Sequence, residues 1–345
     1  MERASPSRPQ SQIAGLALLC LLSALWGSSY AFIKLGVATI PPVTFIAART
    51  AIAGGLLLAI LRFRGLGLPQ AWRYWRRFFI QALLNSVVPF TLIAWAEGSL
   101  DSGLAAILNS TSPIFTFLLG SILLRQERPT ALRLFGVTAG LAGVALIIGL
   151  RAFDGLSREV VGALAIVAAT ICYAGAALFG RQFRGLDPMI PAAGSLVCGA
   201  LVLIPLSLGL DRPWRLSPSA GSLEALLALS AFCTAFALVI YFRLIETLGS
   251  LATTAQAYLR VPVGVAVGMI FLGESLAPTA AIGLLLVLAG VVSMTLAPQA
   301  LLGTAIGRSW QRRRQRRQLA ELSDHLRRDI GLCRDAAGGE PFRPS

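Results

Sequence analysis

The chain has 345 residues, of which 56% are apolar and 13% charged, and its formal net charge is +14 at pH 7. A soluble domain carries roughly a quarter charged residues, so this composition excludes an ordinary water-soluble globular protein and sets aside the usual length-to-domain estimate. The positive balance does not by itself indicate nucleic acid, because ten Arg against five acids in residues 308–345 put +5 in the tail, and most other Arg flank apolar runs.

Runs of about 20 apolar residues, long enough for a hydrocarbon core of ~30 Å, predict ten spans: 13–34, 42–61, 78–96, 103–124, 132–150, 160–180, 189–210, 222–244, 251–272 and 278–298. The first is too long for a signal-peptide core, lacks a small-residue cleavage site and precedes nine more, so it reads as a transmembrane helix. It carries Trp26 and ends at Lys34. The second carries Arg49 and the third Asn85, with Glu97 at its end. In the fourth, Asn109-Ser110-Thr111-Ser112 precedes Pro113, an unusually polar approach to a helix-breaking residue. The fifth has a GxxxG at Gly136 and Gly140, which suits close helix packing within the chain or in a homodimer. Tyr173 lies in the sixth, which ends at Arg181, and Glu246 ends the eighth. The ninth holds Thr253, Thr254, Gln256, Tyr258 and Arg260 ahead of Pro262, then a second GxxxG at Gly264 and Gly268.

These spans repeat. Trp26 and Lys34 recur as Tyr173 and Arg181 at an offset of 147, as do Gly136 and Gly143 at Gly283 and Gly290, and Glu127 at Glu274. Pro113 and Glu97 recur as Pro262 and Glu246 at an offset of 149. A repeat built from five spans predicts two halves of opposite orientation, 13–150 and 160–298, an arrangement typical of secondary transporters. Outside the tail, thirteen Arg fall in loops on one side and five Lys or Arg on the other; the positive-inside rule then places both termini in the cytoplasm.

Candidate functional residues follow from polarity at depth. Proline leaves the carbonyl four residues back without its helical donor, here that of Asn109 and of Tyr258. Arg49 and Arg260 lie inside apolar spans, where a charge costs at least ~2.5–3.5 kcal/mol and should face a cavity or partner. No acid lies deep in any span, which leaves backbone carbonyls, water or an anionic substrate to meet them. Trp26, Asn85, Thr111, Tyr173 and Gln256 complete the expected cavity, and Glu97 and Glu246 are the carboxylates best placed for proton coupling. The five Cys show no paired spacing, and His325 is the one His, so neither metal nor cofactor is expected. Walker A, GxSxG and HExxH patterns are absent, which argues against an enzyme.

The run Ala24-Leu-Trp-Gly-Ser-Ser-Tyr-Ala-Phe-Ile-Lys34, the stretch 102–116 and the segment Gln126-Glu127-Arg128-Pro129-Thr130, echoed by Gly273-Glu274-Ser275, resemble the EamA family of the drug/metabolite transporter superfamily. That resemblance implies an all-α membrane protein of ten helices in two inverted five-helix repeats. It also implies alternating access to a central cavity and, often, export of a metabolite or amino acid; with the two Arg inside apolar spans, the expected solute is a small metabolite, anionic ones included, exported across a bacterial inner membrane. The small multidrug members use a Glu in their first helix, and this chain has none there, which argues against proton-coupled export of cationic drugs.

After Pro298 the character changes. Residues 308–317 are mostly Arg, and Leu319, Leu322, Leu326 and Ile330 follow at helical spacing, which predicts a short basic amphipathic helix. Residues 316–332 resemble the arginine-rich YjiS-like domain. Such a tail suits anionic lipid, RNA or a regulatory protein as partner, and leaves open a membrane-bound sensor or scaffold as the alternative to transport.

Overall fold

The computed structural model describes residues 9–122, 131–152, 157–249, 253, 256–275 and 277–303. The predicted tail, Glu127 and the loop around it lie outside these residues. Among the described residues the regular structure is entirely helical.

Helix α1 runs Pro9–Val37 and α2 Pro42–Phe63. Helices α3 (Trp72–Ala82) and α4 (Val88–Ala96) are joined by a π turn at Leu83–Val87. Helices α5 (Ser102–Asn109) and α6 (Ser112–Ile122) are separated by a break. They are followed by α7 (Ala131–Ala152), α8 (Arg158–Phe179) and α9 (Met189–Leu210). Helices α10 (Ala220–Ser230) and α11 (Ala237–Thr247) flank a second π turn, Ala231–Phe236. Last come α12 (Gln256–Leu272) and α13 (Pro278–Gly303). Seven helical stretches among the described residues are long and apolar enough to cross a membrane. Three shorter apolar ones, Leu134–Leu146, Leu259–Leu272 and Pro278–Gly290, fall at the predicted fifth, ninth and tenth positions. The third stretch begins at Trp72, earlier than hydropathy indicates, because Arg73, Arg76 and Arg77 lower the local average while the helix continues through them.

The described residues up to 294 form one compact unit. Within it, packing pairs one half of the chain with the other. Helix α1 lies along α12 and α2 along α9, and α8 lies against α5 and α6. The α2–α9 pair is antiparallel and fastened at both ends. Thr44, at the start of α2, donates its amide and hydroxyl to Asp211 Oδ2 after α9, at 2.9 and 2.8 Å. Arg64, after α2, lies 3.4 Å from Asp187 ahead of α9.

The repeated glycines meet each other. A Cβ on Gly143 of α7 would stand 2.7 Å from the Gly283 carbonyl of α13, and one on Gly290 would strike Gly136 and Gly140. The GxxxG at 136–140 therefore packs within the chain, as does Gly264, where a Cβ would stand 2.7 Å from Ala106. Lipid supplies no hydrophobic drive between helices, so van der Waals contact across such glycine faces holds them. Gly143→Leu is expected to force α7 from α13 at a cost of about 1–3 kcal/mol. Thermal unfolding of the purified protein should show the lowered midpoint, with Leu141→Ala, on an exposed face, as the neutral comparison.

Candidate functional site

Irregular backbone organises the site. In a π turn the chain is over-wide by one residue, which removes regular i→i+4 pairing and frees carbonyls; such turns recur at functional positions. In the second turn the Cys233 carbonyl accepts the Trp26 indole N–H at 3.1 Å. The next residue, Thr234, donates its hydroxyl to the Leu229 carbonyl at 2.8 Å and accepts from Arg49 Nε at 2.6 Å. The Arg49 guanidinium lies 3.8 Å from the Phe90 ring centre, a cation–π contact. Arg49 is 3% exposed, so it does not reach out to the membrane surface. The first π turn carries Asn85 at the position equivalent to Thr234 (234−85 = 149), and its Nδ2 has no partner.

The other irregularity is the break between α5 and α6. Ser110 and Thr111 turn their hydroxyls onto the Ile107 and Leu108 carbonyls, at 2.5 and 2.8 Å. Such back-bonding competes with the helix, and Pro113 completes the interruption by withholding an N–H from the Asn109 carbonyl. That carbonyl is met by Arg260 Nη2 at 3.0 Å, from α12 in the second half. The Asn109 side chain is fixed too, donating to the Tyr30 hydroxyl at 2.6 Å and accepting from Thr170 at 3.3 Å. Pro262, its repeat equivalent, does not break its helix: α12 runs through it. The expectation of two matching breaks is corrected here. Residues 259 and 260, at the positions equivalent to Ser110 and Thr111, are Leu and Arg, with no hydroxyl to bond back.

Arg49 and Arg260 face one cavity, together with Trp26, Asn85, Asn109, Tyr173 and Gln256. It offers about 50 Å³ to the centres of water-sized molecules, and a single water needs ~10–15 Å³ on that measure. Room therefore exists for a few waters or one small chemical group. No Asp or Glu lines it. Besides Asn85 Nδ2, Gln256 Oε1 and Arg260 Nε also lack partners. Buried polar atoms are almost always paired, so three orphans on one cavity wall point to a ligand or to water. Thr111 is fully buried away from the cavity and holds its own backbone instead. The Tyr258 side chain lies outside the described residues. Sequence reasoning missed Tyr30, Phe90 and Tyr241, which also line the cavity; an aromatic in an apolar span carries no signal distinguishing a cavity wall from a lipid-facing position. Thr234 was legible in principle as the repeat equivalent of Asn85.

The two ends of the cavity differ in chemistry. At one end a file of rings leads away from it: Trp26 to Tyr241 (5.5 Å between ring centres), Tyr241 to Phe242 (5.2 Å), Phe242 to Phe183 (5.9 Å), then Phe183 stacked on Phe78 (5.6 Å). The other end is polar. Lys34 Nζ donates to the Leu100 carbonyl at 2.5 Å and lies 4.0 Å from Asp101. Glu274, after α12, accepts the amides of Ser102 and Gly103 at 2.8 and 3.0 Å, and so caps α5 from the other half. Asp101 occupies the N-cap position yet makes no cap bond. Gly273, at φ +66°, supplies the left-handed turn that aims Glu274 inward. Of the two coupling candidates, Glu97 is buried at this polar end, whereas Glu246 is exposed. Among the described residues no cluster of three or more His, Cys, Asp or Glu is placed to hold a metal.

Residues 13–149 and 160–296 each match the EamA-like transporter family. The chain belongs to that family. Membership makes it a transporter rather than an enzyme, and with seven long apolar stretches it is a multi-pass membrane protein. Residues 302–337 match the YjiS-like domain. The uncharacterized inner membrane transporter YedA of Escherichia coli is 29% identical over 278 residues, spanning 81% of this chain and 89% of its own. An uncharacterized transporter of Archaeoglobus fulgidus is 28% identical, over 81% and 96% of the two chains. The uncharacterized transporter YoaV of Bacillus subtilis is 24% identical, over 79% and 93%. A solved structure described only as the crystal structure of a protein covers 81% of this chain and 98% of its own, with a TM-score of 0.59 at 22% identity. At that identity the likeness is one of fold.

One wall of the cavity carries the Arg260 contact with a carbonyl that Pro113 leaves unpaired. Arg260→Ala is expected to destabilise the protein by about 1–3 kcal/mol, the cost of an unsatisfied buried acceptor. Pro113→Ala restores an N–H that can reach the Asn109 carbonyl, so the loss from Arg260→Ala should be smaller in that background. A double-mutant cycle on thermal unfolding reads this coupling; strictly additive losses would show that the two residues act separately.

Proposed function

We propose that the chain is a secondary transporter of the bacterial inner membrane that carries a small organic solute bearing an acidic group, by alternating access to the cavity between its two halves. One observation carries this reading: two buried guanidiniums face a cavity that, among the described residues, no acid lines. A charge at that depth calls for an opposite one, and a carboxylate or phosphate on the solute supplies it. The aromatic walls suit the solute's apolar body, and the unpartnered atoms of Asn85, Gln256 and Arg260 suit its remaining polar groups. The cavity's small volume fits a form shut at both ends, so the solute enters when one end opens.

The ten-crossing, inverted arrangement belongs to this proposal. The matched halves and the cross-half packing of α1 on α12 and α8 on α5 and α6 support it. So does the excess of Arg in alternate loops, which sets both termini in the cytoplasm, the ring-lined end toward the cytoplasm and the polar end outward. Export is the direction proposed. The tail is proposed as a separate module for anionic lipid, RNA or a regulatory protein.

A panel of small organic acids and their neutral amides, tested for flux in proteoliposomes with and without a pH gradient, examines the reading. An acid should be carried and its amide refused. Arg49→Ala should raise KM for that acid about tenfold, the equivalent of ~1.4 kcal/mol; preference for neutral or cationic solutes would overturn the proposal. Removal of residues 308–345 should leave flux intact.

A further inference from the structure

Glu97 stands one helical turn beyond the cavity wall. Its amide bonds to the carbonyl of Ile93, a lining residue, at 2.9 Å. It lies just past the third apolar stretch, which ends at Ala96, and is 1% exposed. Oε2 accepts the Ser102 hydroxyl at 3.4 Å, while Oε1 has no partner.

The charged groups around it do not neutralise it. Lys34 of α1 is committed to the Leu100 carbonyl and to Asp101. Among the described residues no cation forms an ion pair with Glu97 within 4.0 Å. Glu274 brings a second carboxylate to Ser102, on its amide, and to the next residue, Gly103. Tyr30 of α1 and Arg49 of α2 stand at the cavity itself. Arg158 and Glu159 are exposed at the start of α8, the helix whose Gly162 packs on Leu100. Burial pushes the Glu97 carboxyl well above the ordinary carboxylate range; Lys34 pulls it down and Glu274 pushes it further up. The neutral acid tolerates this setting with the Ser102 bond alone. The anion would lie near a like charge with one oxygen unsolvated.

We propose that Glu97 is a proton-binding site at the polar end of the cavity, holding its proton while that end is shut and releasing it to water when the end opens. The proton passes between the carboxyl and solvent, and no other bond changes. The shut form binds one more proton than the open one. Shutting is therefore favoured as pH falls, and opening is favoured as pH rises through the interval between the exposed and the buried carboxyl values. The site depends on this end being one that opens, as in the transport reading, but not on which solute the cavity takes.

The test uses the full chain in lipid nanodiscs with no solute added. Infrared spectra across pH should show a protonated-carboxyl C=O band at neutral pH that Glu97→Gln removes. Absence of that band from the wild type, or its persistence in the variant, overturns the proposal. Glu97→Asp shortens the reach to Ser102 and is the second variant: it should shift the titration of the band, and an unshifted titration counts against the assignment. Amide hydrogen exchange over residues 102–109, corrected for intrinsic rates, reads the gate. Protection should fall with rising pH in the wild type and stay constant in Glu97→Gln; pH-independent protection in the wild type would overturn the link. Neither readout measures flux, so a failed solute panel and a failed proton site are separate results.

Discussion

A guanidinium keeps its charge wherever the chain puts it, and this protein buries two. Each needs oxygen atoms or a π face at a depth where water is scarce. Arg49 belongs to the first half and draws on Thr234 of the second; Arg260 belongs to the second and draws on Asn109 of the first. Both partners sit on irregular backbone, one in a π turn and one at a helix break. Irregular backbone at membrane depth is tolerated only where its loose polar groups are met by protein or by a water-filled cavity. The charges and the irregularities thus satisfy each other, and the reciprocal bonds tie the two halves together around the space they enclose.

The closures beyond that space differ in kind. Stacked and edge-on rings line one end and hold it by shape and dispersion. The other end is shut by charge-assisted bonds, chiefly the carboxylate of Glu274 on two amides at the start of α5. Bonds of that type are strong and directional, so this end is held by a defined polar geometry. The ring file is held instead by packing, and it joins the cavity at Tyr241.

Much of the site was legible because polarity at depth is costly and therefore conspicuous. Trp26, Arg49, Asn85, Asn109, Tyr173, Gln256 and Arg260, chosen for polar or aromatic character inside apolar spans or for place in the repeat, converge on one cavity. The carbonyl freed by Pro113 was legible from the backbone chemistry of proline alone. What stayed hidden depends on three-dimensional neighbours. A π turn has no sequence signature of its own: Leu83–Val87 and Ala231–Phe236 share no residue type at their equivalent positions that would mark them. Thr111 is as polar as Asn109, yet it is spent on its own backbone. Glu274 stood out as the repeat equivalent of Glu127, but its task is set by the α5 amides it reaches, more than 170 residues earlier in the chain.

Matching positions in the two halves do different work, and the difference follows from what surrounds them. Pro113 interrupts a helix because hydroxyls before it offer the backbone an alternative; Pro262 follows Arg260, whose side chain leaves its own helix to serve the other half. Asn85 turns an unpaired amide to the cavity, whereas Thr234 gives its oxygen to Arg49. Glu97 is enclosed and Glu246 is exposed. A repeat in which every pair had kept one role would present the solute with two equivalent walls and close its two ends with the same chemistry. Here the matching backbone supplies the packing, and the unmatched side chains give the cavity its positive charge and its two ends different chemistry.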